Sequence, residues 1–91
     1  PAARDFNAGY LAAQKTITAI ANGASTLRAA VRLSDADRDN VVRLLTDAES
    51  GLQLAKTLHT ADPVAGMSKL DASVAILTAL QNYLLTKELK K

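Results

Sequence analysis

Apolar residues recur every three or four positions along the first third of the chain. Their spacings alternate strictly between four and three in the series Phe6, Tyr10, Ala13, Ile17, Ile20, Ala24, Leu27 and Val31. This seven-residue repeat is typical of a helix that packs along one seam. Asn22-Gly23 would ordinarily indicate a turn, but the repeat keeps its phase across the pair. The pattern therefore predicts one long helix over residues 2–33, with Gly23 as the position for any kink.

Two further helices are predicted by apolar seams that begin at recognisable N-caps. Ser34 with Asp37 three residues later matches a capping box, in which the serine oxygen accepts a hydrogen bond from a first-turn N–H. Asp62-Pro63 ends one helix and starts the next, because Pro63 disfavours helical geometry before it and suits the first helical position. These signals place helices at residues 35–60 and 63–88. The predicted seams are Val41, Leu45, Ala48, Leu52, Ala55 and His59, then Met67, Leu70, Val74, Leu77, Leu80 and Leu84.

Short connections between three long helices determine the predicted arrangement. With one to three residues between them, neighbouring helices must run antiparallel. The chain has 91 residues, which is too short for two hydrophobic cores, so residues 1–91 are expected to form a single domain. The predicted fold is all-α, an up-down-up three-helix bundle with long helices. The first helix is expected to be the longest, so that one of its ends can project.

Composition supports the helical prediction and removes several classes of chemistry. Apolar residues make up 48% of the chain and aromatic residues 3%, with the strong helix formers Ala and Leu the most frequent. There is no cysteine and one histidine, which excludes thiol catalysis, disulfides and metal sites built on several Cys or His. No motif for phosphate-binding, dinucleotide, metalloprotease or serine-hydrolase chemistry occurs. We therefore expect no enzyme, no cofactor and no metal site.

Three acidic residues near the start of the second predicted helix resemble the opening of a calcium-binding loop. They are Asp35, Asp37 and Asp39. Such a loop needs glycine at its sixth position and glutamate at its twelfth, where this chain has Asn40 and Thr46. Carboxylates are favoured at the positive N-terminal end of a helix, so the three aspartates are expected to stabilise a helix end.

His59 and the lysine-rich C-terminus are also expected to be structural. His59 falls at the C-terminal end of the second predicted helix, where the helix dipole stabilises a protonated imidazole. No nucleophile and acid partners for a catalytic triad can be identified. The run Lys87–Lys91 includes Glu88 and no aromatic residue for base stacking, so a solvated helix end is expected. The net charge of +2 is too small a bias to indicate nucleic-acid binding.

The third predicted helix carries more apolar residues than one seam needs. Ala72, Ile76, Ala79 and Tyr83 form a second stripe with spacings of four, three and four. A helix in a bundle buries one broad apolar face, so the stripe either widens that face or is exposed for association. These four residues are the candidate interaction surface. Its candidate occupants are an unidentified protein partner or a second copy of the chain, in a homodimer around a two-fold axis.

Residues 48–85 resemble part of a known group of proteins. An Asp-Pro turn is followed by a Leu-x-x-Leu-Gln-x-Tyr-Leu ending, formed here by Asp62, Pro63, Leu77, Leu80, Gln81, Tyr83 and Leu84. This pattern is similar to that of small helical lipoproteins encoded by tailed phages and prophages of Gram-negative bacteria. The resemblance implies a non-enzymatic periplasmic domain, tethered by a lipidated cysteine that follows a signal peptide and precedes Pro1. It also implies protein contacts that serve superinfection exclusion or host lysis.

The alternative hypothesis is a cytosolic helical adaptor or nucleic-acid-binding accessory protein. The sequence pI near 9.2 and the basic C-terminus favour it. Helix-turn-helix readers, however, place base-contacting residues at the start of a recognition helix, and no Arg, Lys, Asn or Gln cluster opens a predicted helix here. Nucleic-acid binding is therefore the less favoured expectation.

Overall fold

Three helices and no strand make up residues 5–89, the part of the chain that the computed structural model describes; side chains are described up to Lys87. The helices are α1 (Phe6–Ala29), α2 (Asp35–Ala61) and α3 (Pro63–Leu89). Each contacts both of the others, as expected for the predicted all-α up-down-up bundle. The bundle measures 45 × 26 × 15 Å. A helix of 27 residues spans about 40 Å at 1.5 Å per residue, so α2 and α3 extend along almost its whole length.

The N-terminal end of α1 is defined by Asp5. Its Oδ1 accepts hydrogen bonds from the backbone N–H groups of Asn7 at 3.0 Å and Ala8 at 3.4 Å. Such a cap satisfies N–H groups that have no partner inside the helix. The predicted start at residue 2 lies outside the described residues. From Phe6 onward the helix passes through Gly23 without interruption.

The C-terminal end of α1 differs from the prediction. The helix ends at Ala29 rather than at residue 33. The N–H of Val31 bonds to the Arg28 carbonyl at 3.0 Å, and the N–H of Arg32 bonds to the Leu27 carbonyl at 2.8 Å. This pair of bonds is a Schellman motif, which needs left-handed backbone just after the cap, and Val31 adopts it with a φ of 59°. Val31, predicted in the core seam, is consequently 88% exposed.

The turn after α1 places Leu33 in the core instead of Val31. Leu33 is buried, and its carbonyl oxygen accepts a hydrogen bond from Arg28 Nη1 at 3.0 Å. The same nitrogen lies 2.6 Å from Asp35 Oδ1. These contacts close a connection of residues 30–34, longer than the predicted one to three residues. The described α1 therefore has 24 residues against 27 in α2 and α3, and the expectation that it is the longest helix is wrong.

Both predicted caps of the later helices are confirmed. Ser34 Oγ accepts a hydrogen bond from the N–H of Asp37 at 3.1 Å. Asp62 Oδ1 accepts hydrogen bonds from the N–H groups of residues 64 and 65 at 3.1 and 3.2 Å. Asp62 is the single residue between α2 and α3, so the two helices form a tight antiparallel hairpin.

The core consists of one apolar row on each helix. Its buried apolar residues are Phe6, Ala13, Ile20, Ala24 and Leu27 of α1, Leu33 of the connection, Val41, Ala48, Leu52 and Ala55 of α2, and Leu70, Leu77, Leu80 and Leu84 of α3. All except Leu33 lie on the predicted seams. Burying a leucine side chain contributes about 1.5–3 kcal/mol, so the four leucines of α3 are a main source of stability.

α2 and α3 approach most closely at two glycines. A Cβ at Gly51 would overlap Ser73 Oγ, and a Cβ at Gly66 would lie 2.5 Å from His59 Cα. Ser73 is buried, and its hydroxyl donates a hydrogen bond at 3.0 Å to the carbonyl four residues earlier. The predicted core residue Val74 is instead 37% exposed, because the close approach at Gly51 turns the small Ser73 towards α2.

α3 is also the one helix in the described range that is long and apolar enough to cross a membrane, judged by length and composition alone. Within residues 63–87, an 18-residue window has a mean hydropathy of 1.2, and 28% of that window is buried in the bundle. Core helices that are apolar around much of their circumference pass the same test. Much of the surface of α3 therefore lies outside the core, and Ala72 and Ala79 of the predicted stripe belong to this surface.

Candidate functional site

The structure divides the four residues predicted as an interaction surface into two pairs. Ala72 and Ala79 are exposed, whereas Ile76 and Tyr83 are half-buried and pack against the core. The bundle thus absorbs the two large side chains of the stripe and leaves the two small ones accessible. Ile76 and Tyr83 thus widen the buried face of α3, whereas Ala72 and Ala79 remain open for association. The C-terminal half of the stripe, Ala79 and Tyr83, lines a groove.

This groove, of about 360 Å³, lies between α2 and α3 near the C-terminal end of α3. Its volume falls within the range of about 300–1,000 Å³ found for ligand sites. Apolar and polar side chains from both helices line it. The lining residues are Asp37, Asn40, Val41, Arg43 and Leu44 of α2 and Ala79, Leu80 and Tyr83 of α3.

The α2 side of the groove was not predicted as part of an interaction surface. Leu44 adjoins Leu45 of the predicted seam, so the sequence indicated an apolar pair there. What the sequence did not supply was the register of the hairpin, which brings Leu44 opposite Ala79 and Leu80. Nothing in the sequence indicated that Arg43 belongs to a binding site, because single arginines are common on exposed helix faces.

Three polar side chains meet at one end of the groove. Lys87 Nζ lies 3.1 Å from Asp37 Oδ2 and 5.2 Å from the centroid of the Tyr83 ring. The hydrogen bond from Lys87, and then that from the Tyr83 hydroxyl, lower the pKa of Asp37 below its ordinary value. Burial and the Asp37 carboxylate raise the pKa of Tyr83, and the bond to Asp37 raises the pKa of Lys87. At neutral pH the cluster therefore pairs a carboxylate with an ammonium and a neutral phenol.

This cluster joins the N-terminal end of α2 to the C-terminal end of α3. Because the charge of Asp37 is matched by Lys87, Arg43 is the charged group that the groove offers to an occupant, with its Nη2 3.5 Å from Asn40 Oδ1. Of the predicted basic run, only Lys87 has a described side chain. The other side chains of that run lie outside the described part of the structure.

The three aspartates at the start of α2 contact three different partners. Asp35 pairs with Arg28, Asp37 with Lys87, and Asp39 Oδ1 lies 3.0 Å from Arg38 Nε. Asp35 and Asp37 lie in the first helical turn, as expected for residues that stabilise a helix N-terminus. No group of three or more His, Cys, Asp or Glu side chains in the described range could hold a metal ion.

His59 lies in the last turn of α2, as predicted, and packs at the opposite end of the bundle from the groove. Its ring stacks on Phe6 with centroids 4.1 Å apart and an interplanar angle of 17°. Beside them, the Tyr10 hydroxyl accepts a hydrogen bond from Gln53 Nε2 at 3.3 Å. This aromatic cluster holds the N-terminal end of α1 against the C-terminal end of α2, which gives His59 a packing role.

The groove between α2 and α3 thus combines apolar area with polar and charged groups. It includes Leu80 and Tyr83 of the Leu-x-x-Leu-Gln-x-Tyr-Leu pattern. No protein-family model, curated protein sequence or solved structure matches the chain.

Proposed function

We propose that this chain is a non-enzymatic helical module that binds another protein through the groove between α2 and α3. We further propose that it is the mature domain of a phage- or prophage-encoded lipoprotein, tethered in the periplasm. Its task there would be superinfection exclusion or host lysis. The second part rests on the resemblance of residues 48–85, and the first on the lining of the groove.

The observation that carries the proposal is the composition of the groove lining. Apolar residues that include Leu44 and Ala79 line it together with Tyr83, Arg43 and Asn40. Protein interfaces commonly have an apolar centre and a polar rim, and tyrosine and arginine are enriched among their strongest contacts. A groove between two helices suits an amphipathic helix, which places side chains one turn apart into it. A helical segment of a partner protein is the occupant that this shape favours.

The basic surface gives less support to the nucleic-acid hypothesis. Arg28, Arg38 and Lys87 each lie within 3.1 Å of an aspartate oxygen. Binding to phosphates depends on cationic side chains that can replace counterions along the backbone, and these three are already matched by carboxylates. These three of the eleven Lys and Arg residues of the chain are matched in this way, which reduces the support that the basic pI gives to a nucleic-acid partner.

The proposed role can be tested by placing the chain, with an N-terminal lipid anchor, in the periplasm of a Gram-negative host. Phage plating efficiency and the time of lysis are then measured with and without expression. We expect the anchored chain to change one of them and the Ala79→Glu variant to lose the effect, because a carboxylate would enter the groove.

The matched control is Ala75→Glu, which changes an exposed alanine of the same helix away from the groove. We expect it to behave as the unchanged chain. Equal loss in both variants would reject the groove as the binding site. Unchanged plating and lysis with the anchored wild-type chain would reject the proposed role.

A further inference from the structure

The apolar repeats of α1 and α2 are one continuous repeat, although the chain reverses direction between them. Every seventh residue from Phe6 to Ala55 is apolar except Ser34. Every seventh residue from Tyr10 to His59 is apolar except Arg38 and His59 itself. The core residues of both helices belong to these two series, with Leu27 and Val41 separated by two full heptads. A seven-residue repeat with constant phase is the pattern of one uninterrupted helix.

The turn that separates α1 from α2 holds the N-cap of α2, Ser34, but no residue that favours left-handed backbone. Residues 30–34 include neither glycine nor proline, and the reversal depends on Val31 at a φ of 59°. Left-handed backbone is an outlier for a β-branched residue. Since Val31 is exposed, packing of its side chain does not compensate for the strain. Helical backbone at these positions would remove the strain and continue the repeat.

α1 is also the helix that packs least tightly. The closest packing lies between α2 and α3, and α1 contacts α2 least. Grooves of about 320 Å³ and about 360 Å³ remain along α1, the first facing α2 and the second facing α3. Two alanines, Ala13 and Ala24, contribute to its core face. The α2–α3 hairpin therefore forms a docking site for α1 that a second α1 would fit equally well.

We infer that two copies of the chain exchange α1. In each copy, residues 30–34 become helical and join α1 to α2 in one helix over residues 6–61, while α1 packs on the α2–α3 hairpin of the other copy. The contacts of α1 with the α2–α3 hairpin are then remade between copies, including the Phe6–His59 stack and the hydrogen bond of Gln53 to Tyr10, whereas the hydrogen bond of Arg28 to the Leu33 carbonyl is lost. Exchange of an identical element is a low-cost route to a two-fold dimer. This inference is independent of the groove and of its proposed occupant.

The position of the two-fold axis follows from the contacts between α1 and α2. Arg28 pairs with Asp35, and Tyr10 with Gln53. The residue numbers in each pair add up to 63, so a residue of α1 lies beside the residue of α2 whose number completes a sum of about 63. In the exchanged dimer the two long helices keep that register and cross near residues 31–32. Ser34 and Arg38, two of the three polar members of the repeat, fall beside the crossing.

A distance measurement across the turn distinguishes the two forms. The chain lacks cysteine, so spin labels can be attached to cysteines placed at Thr18 and Thr46, which are exposed and lie at the same level. In the closed chain these sites are on neighbouring helices whose axes lie about 8–10 Å apart. In one continuous helix they are separated by about 42 Å, at 1.5 Å per residue. Labelled chain is mixed with an excess of unlabelled chain, so that most dimers carry labels on one copy only and the measured distance is the one within that copy.

In the test, the full chain is concentrated, incubated near the midpoint temperature of its unfolding and cooled. Monomer and dimer are then separated by size-exclusion chromatography with light scattering. We expect the dimer to show the distance of about 42 Å and the monomer the short one. A chain that stays monomeric under these conditions, or a dimer with only the short distance, would overturn the inference. The second result would indicate face-to-face association instead, as through Ala72 and Ala79.

Variants at the turn give an independent check. Val31→Gly removes the strain of the closed turn and weakens a helix through it, so we expect at least a tenfold lower dimer fraction. Val31→Ala retains a Cβ in the turn and favours helix, so its dimer fraction should be equal to or above that of the unchanged chain. Equal dimer fractions in the glycine and alanine variants would contradict the proposed role of the turn.

Discussion

Replacing Val31 by glycine should stabilise the single-chain bundle. Left-handed backbone costs a residue with a Cβ about 1–2 kcal/mol, and Val31 adopts it at a φ of 59°. Its side chain is 88% exposed, so truncation removes almost no packing. Glycine offsets part of the gain, because its greater freedom in the unfolded chain costs about 0.5–1 kcal/mol. The expected net increase in the free energy of unfolding is about 0.5–1 kcal/mol.

The effect is measurable by urea unfolding and by thermal unfolding, both followed by circular dichroism, at a protein concentration where the chain is monomeric. For a domain of this size, 1 kcal/mol corresponds to about 4–8 °C in the unfolding temperature, so Val31→Gly should raise it by about 2–8 °C. Val31→Ala is the matched control, since it shortens the side chain but retains the Cβ that causes the strain. We expect it to be less stable than the glycine variant.

A decrease in stability in Val31→Gly would refute the reasoning, because it would mean that the valine side chain contributes more than its backbone strain costs. Equal stability of the glycine and alanine variants would also refute it, since strain at Cβ would then be absent. Urea slopes should be the same in all three chains, because the surface exposed on unfolding is unchanged.

Two further predictions concern the α2–α3 hairpin. Gly66→Ala should lower the free energy of unfolding by about 1–3 kcal/mol, as overpacking does, because the added Cβ would lie 2.5 Å from His59 Cα. The control Gly23→Ala, whose Cβ has space, should leave the free energy of unfolding unchanged or raise it. Equal urea midpoints for the two variants would contradict the close approach at Gly66. The hydrogen bond from Lys87 lowers the pKa of Asp37 in the folded chain below its ordinary value of 3.8. The Asp37 carboxylate therefore stabilises the fold above pH 3.8, and this stabilisation is lost as the pH falls through the pKa of the folded chain. Urea midpoints measured between pH 6 and 2 should therefore fall less in Asp37→Asn than in the unchanged chain, and parallel curves would exclude the contribution.

The sequence by itself determined the helices that begin with a local signal. Ser34 and Asp62 accept hydrogen bonds from N–H groups within three residues of themselves, so their capping roles could be predicted without knowledge of the rest of the chain. The apolar seams, with spacings of three and four residues, likewise located nearly all of the buried apolar residues. Three long helices with one core then left few arrangements other than a bundle.

Only the tertiary structure decided where α1 ends, which residue of α3 faces α2, and which residues share the groove. The repeat favours a helix through Val31, but closing the bundle requires a reversal that buries Leu33 and pairs Arg28 with Asp35. Likewise, Ser73 is buried because Gly51 faces it from a helix 22 positions earlier in the chain. Local hydrogen bonds and periodicity act within a turn or two, whereas the end of α1, the burial of Ser73 and the groove depend on contacts between segments that the fold alone brings together.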